Sequence, residues 1–306
     1  MDAVAVVLES PGCIDLRRVS LAAPADGDIV VEIAWSGIST GTEKLLFTGR
    51  MPQFPGMGYP LVPGYESVGV VTACGKSAGI EVGTTVFVPG ANCFDGVRGL
   101  FGGAASRVVL PAARVLPVAS ALRDKGVLLA LAATAYHAVH LVNPPDLIIG
   151  FGTLGRLIAR LARIAGADPV VWERDPARRG GVAIDPAGDT RRDYAVICDA
   201  SGDSAIIDSL VARLRPGGTI VLAGFYAERL EFSFPPAFMR EARIAIAAQW
   251  QPRDLAAVGD LVASNTLELD GLITHHSAAA DAASAYETAF GDPTCLKMVL
   301  NWSGVA

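Results

Sequence analysis

Apolar and polar positions follow two different rhythms along the 306 residues. Up to about residue 118 the apolar residues fall in short alternating runs, Ile29 to Ile33, Ser67 to Thr72 and Thr84 to Val88, set among glycines and prolines. Alternation with a period of two turns one face of a strand toward a core, and Gly and Pro punctuate the chain between strands. An irregular β-barrel or sandwich is therefore predicted for residues 1–118. From Ala119 the spacing lengthens. The Ala-rich stretch Leu122 to Val142 has helical spacing, and strand and helix signals then alternate, which predicts a parallel, doubly wound α/β sheet over 119–251.

The clearest unit runs from Asp146 to Glu173. Leu147, Ile148 and Ile149 form an apolar strand, Gly150-Phe151-Gly152-Thr153-Leu154-Gly155 turns it, and Arg156 to Gly166 has helical periodicity. Pro169 to Trp172 reads as the second strand. Later strands are predicted at Tyr194 to Cys198, Thr219 to Ala223 and Arg243 to Ala248, with a helix at Asp203 to Leu214. The 173–193 interval is too short for a full helix and strand, so one crossover is expected to be trimmed. A further helix, Asp254 to Ser264, opens a C-terminal segment over 252–306.

Gly150, Gly152 and Gly155 match the G-x-G-x-x-G turn in the context that gives it meaning, between a strand and a helix. The first glycine permits the tight turn, the second lets a pyrophosphate approach the backbone, and the third lets helix pack on strand. The N–H groups opening the helix, at Thr153 and Leu154, then face an anion along the helix dipole. The bland alternative is a helix-capping turn that binds nothing. Glu173 lies 18 residues after Gly155, at the end of the second strand. A carboxylate there accepts from ribose hydroxyls and repels a 2′-phosphate, so NAD is expected over NADP. Arg174 pulls the other way, because a guanidinium suits a 2′-phosphate. Phe225 and Tyr226, just past a strand end, are expected beside the nicotinamide.

Composition narrows the field. Hydrophobic residues make up 51% and charged residues 18%, with a net charge of −6. No Lys/Arg run exceeds a pair, which speaks against nucleic acid or an anionic membrane as partner. The N-terminus has no basic segment before its short apolar run, and the longest apolar stretch, Val127 to Val139, is too short for a bilayer span. A soluble, cytoplasmic protein is expected. The five cysteines are scattered and never spaced as C-x-x-C, which suits reduced thiols rather than disulfides or structural zinc.

One stretch carries the chemistry: SGISTGTEKLLFTGRMPQFPGMGYPLVPGYESVG, from Ser36 to Gly69. It resembles the active-site region of the medium-chain dehydrogenases, and within that superfamily the bacteriochlorophyllide a dehydrogenases of phototrophic bacteria. The resemblance implies a GroES-like catalytic domain, a Rossmann domain and a C-terminal segment returning to the first domain. It implies oxidation of the 3-(1-hydroxyethyl) group of a bacteriochlorophyllide to 3-acetyl with NAD⁺, and often a homodimer. Zinc members of the superfamily carry Cys where this chain has Ser39 and His where it has Tyr65. The third ligand position falls near Ala130, and only Cys93 stands where a structural zinc lobe would lie. A hydroxyl and a phenol are poor substitutes for thiolate and imidazole, so no metal is expected.

Without zinc, another group must handle the alcohol proton. Tyr65 is the first candidate for the base, with Lys44 as an ammonium that would lower its pKa. Ser39 joins them, Thr40, Thr42 and Glu43 would shape the turn, and Glu66 would support the site from beneath. The bland reading makes Tyr65 a core aromatic and Lys44 a solvated surface residue. Arg50, Met51, Phe54, Met57 and Tyr59 would wall an apolar macrocycle, with Arg50 meeting its propionate; an ordinary packed loop is the alternative. His137 and His140, i and i+3 on a helix, are read as packing residues, and His275 and His276 as a strand start. Two competing functions remain open: a zinc-free quinone or enone reductase, which would prefer NADPH, and a non-catalytic dinucleotide or pigment carrier.

Overall fold

The computed structural model describes residues 1–53 and 55–305, and the chain divides into two compact units, 1–130 with 269–306, and 131–268. The chain opens with an antiparallel hairpin, β1 (Asp2–Ser10) and β2 (Cys13–Ser20). β3 (Asp28–Ile38) leads through the short helix α1 (Thr42–Phe47) to β4 (Ser67–Cys74), its antiparallel partner. β5 (Thr85–Val88), β6 (Arg107–Pro111) and β7 (Leu116–Pro117) complete the first pass. A 3₁₀ segment, Ser120–Leu128, then precedes α2 (Leu129–His140).

The sequence suggested one helix over 122–142. Arg123, at φ 49°, breaks it, and the α-helix begins only at Leu129. Gly126 explains where the broken part docks: a Cβ there would lie 2.6 Å from a methyl of Val68 on β4. The first unit therefore extends to residue 130 rather than ending at 118.

The second unit holds a five-stranded, all-parallel sheet in the order β12-β11-β10-β8-β9. Its strands are β8 (Leu147–Ile149), β9 (Val170–Trp172), β10 (Tyr194–Asp199), β11 (Leu214–Leu222) and β12 (Arg243–Ile246). The helices are α3 (Thr153–Ile164), α4 (Ile207–Val211), α5 (Phe234–Met239) and α6 (Pro252–Ala263). The central strands β10 and β11 read as unbroken apolar runs, Val196-Ile197-Cys198 and Ile220-Val221-Leu222, because both faces are covered. The trimmed crossover is present. Residues 173–193 form two short 3₁₀ turns, and a single bridge, Trp172 to Ile184, meets the β9 edge. Buried Asp189 accepts from the Trp172 indole (2.8 Å), the Tyr194 phenol (2.6 Å) and the Arg191 N–H (2.8 Å), filling the space with polar contacts. α6 belongs to this unit, since Asp254 at its start meets His137 of α2 at 2.9 Å. The unit thus ends at 268 rather than 251.

The chain then returns to the first unit as β13 (His275–Ala278), α7 (Ala282–Gly291) and β14 (Met298–Asn301). β3 is shared lengthwise. Residues 28–32 pair with β6 and residues 35–38 pair with β14, so a strand from the chain end flanks the segment leading to Ser39. The core of this unit gathers Val6, Val31, Val71, Val86, Val108, Tyr286 and Leu300. Burying each such side chain contributes roughly 1.5–3 kcal/mol.

Candidate active site

Ser39 directly follows β3, and Tyr65 approaches from the turn before β4. Gly64 makes that approach possible: its φ is +96°, and a Cβ on it would sit 2.8 Å from the Ala104 nitrogen. The Ser39 Oγ and Tyr65 hydroxyl meet at 2.7 Å, with the half-buried Thr42 hydroxyl 3.5 Å from the phenol. The edge of the Phe101 ring packs on Tyr65, the centroids 5.1 Å apart. Phe101 holds a φ of 71°, a conformation that non-glycine residues seldom adopt and that tends to occur at functional sites.

Beneath this pair lies a buried charge system. The Glu66 carboxylate meets Lys297 Nζ at 2.6 Å, and Lys297 also donates to the Ile38 carbonyl at 3.2 Å. Gly37 is required beside it, because a Cβ there would come 2.4 Å from the Glu66 Oε2. Burial pushes the Glu66 pKa up, partly offset by Lys297. Glu43, also fully buried, accepts from the Ser39 N–H at 3.0 Å and from the Tyr286 phenol at 2.5 Å. Its pKa is raised to about 7, chiefly by burial. Tyr65 is shifted well above the ordinary phenol value by burial and then by Glu66, outweighing its bonds to Ser39 and Thr42. At neutral pH it is a neutral hydrogen-bonding phenol.

The expected Lys44–Tyr65 partnership does not form. Lys44 is exposed and donates to the Phe290 carbonyl at 2.9 Å. Successive helix residues point about 100° apart, so with Glu43 turned inward on α1 its neighbour faces outward. Lys44 therefore does not serve to lower the Tyr65 pKa, whose direction is the reverse of that needed for a base. The proposed macrocycle wall also needs correcting. Met51 is buried with Leu8, Leu46 and Leu61, and Met57 and Tyr59 pack on the same cluster. The Tyr59 hydroxyl donates to the Leu46 carbonyl. These side chains are occupied in holding their own loop, Arg50 is exposed, and Phe54 lies outside the described residues.

In the second unit, Gly150 (φ +88°) turns the chain out of β8. Gly155 admits no side chain, because a Cβ would lie 1.9 Å from the Gly150 oxygen, whereas the space beside Gly152 is open. Gly152 caps α3 without a side-chain bond, and the helix start at buried Thr153 and half-buried Leu154 presents the positive end of its dipole to an anion. This arrangement fits a dinucleotide pyrophosphate. The Glu173 carboxylate spans the loop, accepting from the Phe151 and Asp175 N–H groups, each at 2.9 Å. Arg174 is engaged by Asp203 at 2.8 Å. Phe225 is 43% exposed. Tyr226 is instead tied by its hydroxyl to the buried Asp199 at 2.6 Å. His137 pairs with Asp254, and His140 stacks on Tyr136 at 4.0 Å, both as packing residues. His276 meets Asp124 at 2.7 Å and His275 meets the Thr274 hydroxyl at 2.9 Å.

Sequence reasoning missed Lys297, Tyr286 and Phe101. A signal existed for the first: a lone Lys in the apolar run Cys295-Leu-Lys-Met-Val-Leu needs a buried partner.

Residues 25–120 match the alcohol dehydrogenase GroES-like domain. Two solved structures share the fold: acetophenone reductase of Geotrichum candidum NBRC 4597 with NAD (TM-score 0.84, 19% identical, covering 98% of this chain and 97% of that one) and a dehydrogenase of Sinorhizobium meliloti 1021 bound to NADP (TM-score 0.81, 22%, covering 98% and 99%). Fold and site together define a protein of the medium-chain alcohol dehydrogenase type. The 2-desacetyl-2-hydroxyethyl bacteriochlorophyllide A dehydrogenase of Cereibacter sphaeroides is 56% identical over 318 aligned residues, covering 100% of both chains. The chain belongs to that dehydrogenase family, as the Ser36–Gly69 stretch implied. The zinc common in the wider superfamily does not suit this donor set: Ser39 and Tyr65 are neutral hydroxyls bonded to each other, and Ala130 is a buried methyl.

Proposed function

We propose that the protein oxidises the 3-(1-hydroxyethyl) group of a bacteriochlorophyllide to 3-acetyl, a step of bacteriochlorophyll biosynthesis, without catalytic zinc. The observation that carries the chemistry is the 2.7 Å contact of Ser39 and Tyr65 at the positions of two metal ligands. Bound NAD⁺ supplies the hydride acceptor. Tyr65 holds the substrate oxygen, donating one hydrogen bond and accepting another as the neutral phenol. As the carbinol loses hydride, its hydroxyl proton passes to the Tyr65 oxygen while Tyr65, held by Ser39, hands its own to Thr42. Thr42, half-buried at the start of α1, delivers it to water. The products are ketone, reduced cofactor and one proton.

The cofactor is a nicotinamide dinucleotide held by Gly150, Gly152, Thr153, Leu154 and Gly155, with Phe225 beside the ring. Glu173 favours NAD, supported by the engagement of Arg174 with Asp203, which opposes recruitment of that guanidinium to a 2′-phosphate. Arg50 remains the residue for a pigment propionate. Among the described residues no helix is long and apolar enough to cross a membrane, and we assign the protein to the cytoplasm. A homodimer would form along the β12 edge, where Ile244, Ile246, Phe234, Phe238 and Met239 are exposed.

The test is an absorbance scan of 3-hydroxyethyl bacteriochlorophyllide a with the chelator-dialysed protein and NAD⁺, then NADP⁺. Acetyl formation extends conjugation, so a red-shifted long-wavelength band with NAD⁺ is expected. No band shift with either cofactor, while dinucleotide still binds, would overturn the substrate assignment. Activity lost on dialysis and restored by zinc would overturn the metal-free chemistry.

A further inference from the structure

Glu43 has no part in the steps above, yet its position is unusual. Carboxylates are seldom wholly buried unless paired with a cation. Both Glu43 oxygens instead meet neutral donors, the Ser39 N–H and the Tyr286 O–H. The nearby buried ammonium, Lys297, is already engaged by Glu66 and the Ile38 carbonyl.

Groups from three places beyond α1 act on this carboxyl, while β1 packs against α1 with apolar Leu8. α7 brings Tyr286, the turn before β4 brings Tyr65 and Glu66, and the approach to β14 brings Lys297. On α1 itself, Lys44 is turned away to the Phe290 carbonyl. Burial and Glu66 oppose ionisation; Tyr286, the Ser39 N–H and Lys297 favour it, and the balance leaves Glu43 titrating at about 7. The residue it grips, Ser39, is the one whose hydroxyl meets Tyr65.

We propose that Glu43 is a positioning residue that fixes Ser39 against Tyr65 and, through its charge, modulates how readily Tyr65 gives up its phenolic proton. The inference rests on the reading that Tyr65 holds the substrate oxygen. An ionised Glu43 pushes the Tyr65 pKa further up and weakens it as a donor, and a protonated Glu43 relieves that. In the reverse direction, where NADH reduces the acetyl pigment and Tyr65 must give its proton, the rate falls as pH rises through about 7.

The substitution Glu43→Gln separates the roles. Its amide oxygen accepts from the Ser39 N–H and its NH₂ donates to Tyr286, so it resembles the protonated acid at every pH. Single-turnover reduction of 3-acetyl bacteriochlorophyllide by NADH should fall several-fold from about pH 6 to about pH 8 in the wild type and stay level in the variant. Infrared spectroscopy on the substrate-free protein gives a second reading. A protonated-carboxyl band should titrate near 7 and vanish in Glu43→Gln. The phenol band of ring-labelled tyrosine, assigned to Tyr65 by its loss in Tyr65→Phe, should shift in step. An unchanged rate profile in Glu43→Gln, with a Tyr65 band indifferent to Glu43, overturns the proposal and leaves Glu43 a purely structural residue. If no pigment turns over at all, the functional reading fails, and the Tyr65 band alone decides: movement with Glu43 upholds the coupling, and a stationary band overturns it.

Discussion

The two units answer to their sequences in different ways. The nucleotide loop itself is assembled within one short span, Gly150 to Glu173, on one strand-turn-helix-strand unit, where Glu173 reaches back to the Phe151 N–H. The candidate catalytic centre draws Ser39 and Tyr65 from one span but Tyr286 and Lys297 from some 240 residues further on. Local geometry specifies the first. The second exists only once long-range pairing of β14 with β3 is complete. A site that is local in sequence tolerates change as a motif does, and a site closed by distant residues fails as a network.

The largest effect is expected where that network is most exposed to failure. Lys297→Met leaves Glu66 buried without its cation and should cost about 3–5 kcal/mol in denaturant unfolding, with the double variant Glu66→Gln/Lys297→Met recovering much of the loss. Tyr65→Phe removes the hydroxyl that meets Ser39 while keeping the ring on Phe101, and on the proposed chemistry single-turnover hydride transfer should fall by about 10²–10³, as for a lost transition-state donor, with little change in Tm. In the nucleotide unit, Glu173→Ala should weaken NAD⁺ binding by roughly tenfold, about one good charge-assisted hydrogen bond, and narrow the ratio over NADP⁺, read by calorimetry. Lys44→Met should leave hydride transfer within about twofold, since an exposed lysine bonded to a carbonyl contributes little. A large loss there would restore the Tyr65–Lys44 pairing and blur the contrast between the units.

A pH experiment sharpens the same comparison. The folded Glu43 pKa, about 7, stands above its ordinary 4.5, so the folded state binds the extra proton between those values. Its favourable contribution is complete below about 4.5 and is lost as pH rises to about 7. The stability difference between wild type and Glu43→Gln should change across that window and level off above it.

The legible parts of the molecule were those with local causes. The strand Leu147 to Ile149, the glycine turn, the trimmed 173–193 crossover and the alternating strands at 29–33, 67–72 and 84–88 follow from periodicity and from Gly and Pro placement. Ser39 and Tyr65 were legible through resemblance, and the structure brings their hydroxyls together. Lys44 was misplaced because nearness to Ser39 in sequence says nothing of which way a short helix turns; burial of Glu43 decided that. Met51 was misread because an apolar side chain in a loop can wall a ligand or pack its own domain, and Leu8, far away in sequence, settled which. The helix over 122–142 was overextended because apolar spacing continues through Arg123, where the backbone does not.

The lengthwise sharing of β3 has a consequence for synthesis on the ribosome. The nucleotide unit, 131–268, has all its strands in hand before residues 269–306 are made. The catalytic unit must wait with half of one β3 edge unpaired and Glu66 without Lys297 until residues 297–301 emerge. During that interval the nascent chain carries a finished nucleotide unit beside an open sheet edge, which makes the catalytic half the part most in need of a chaperone.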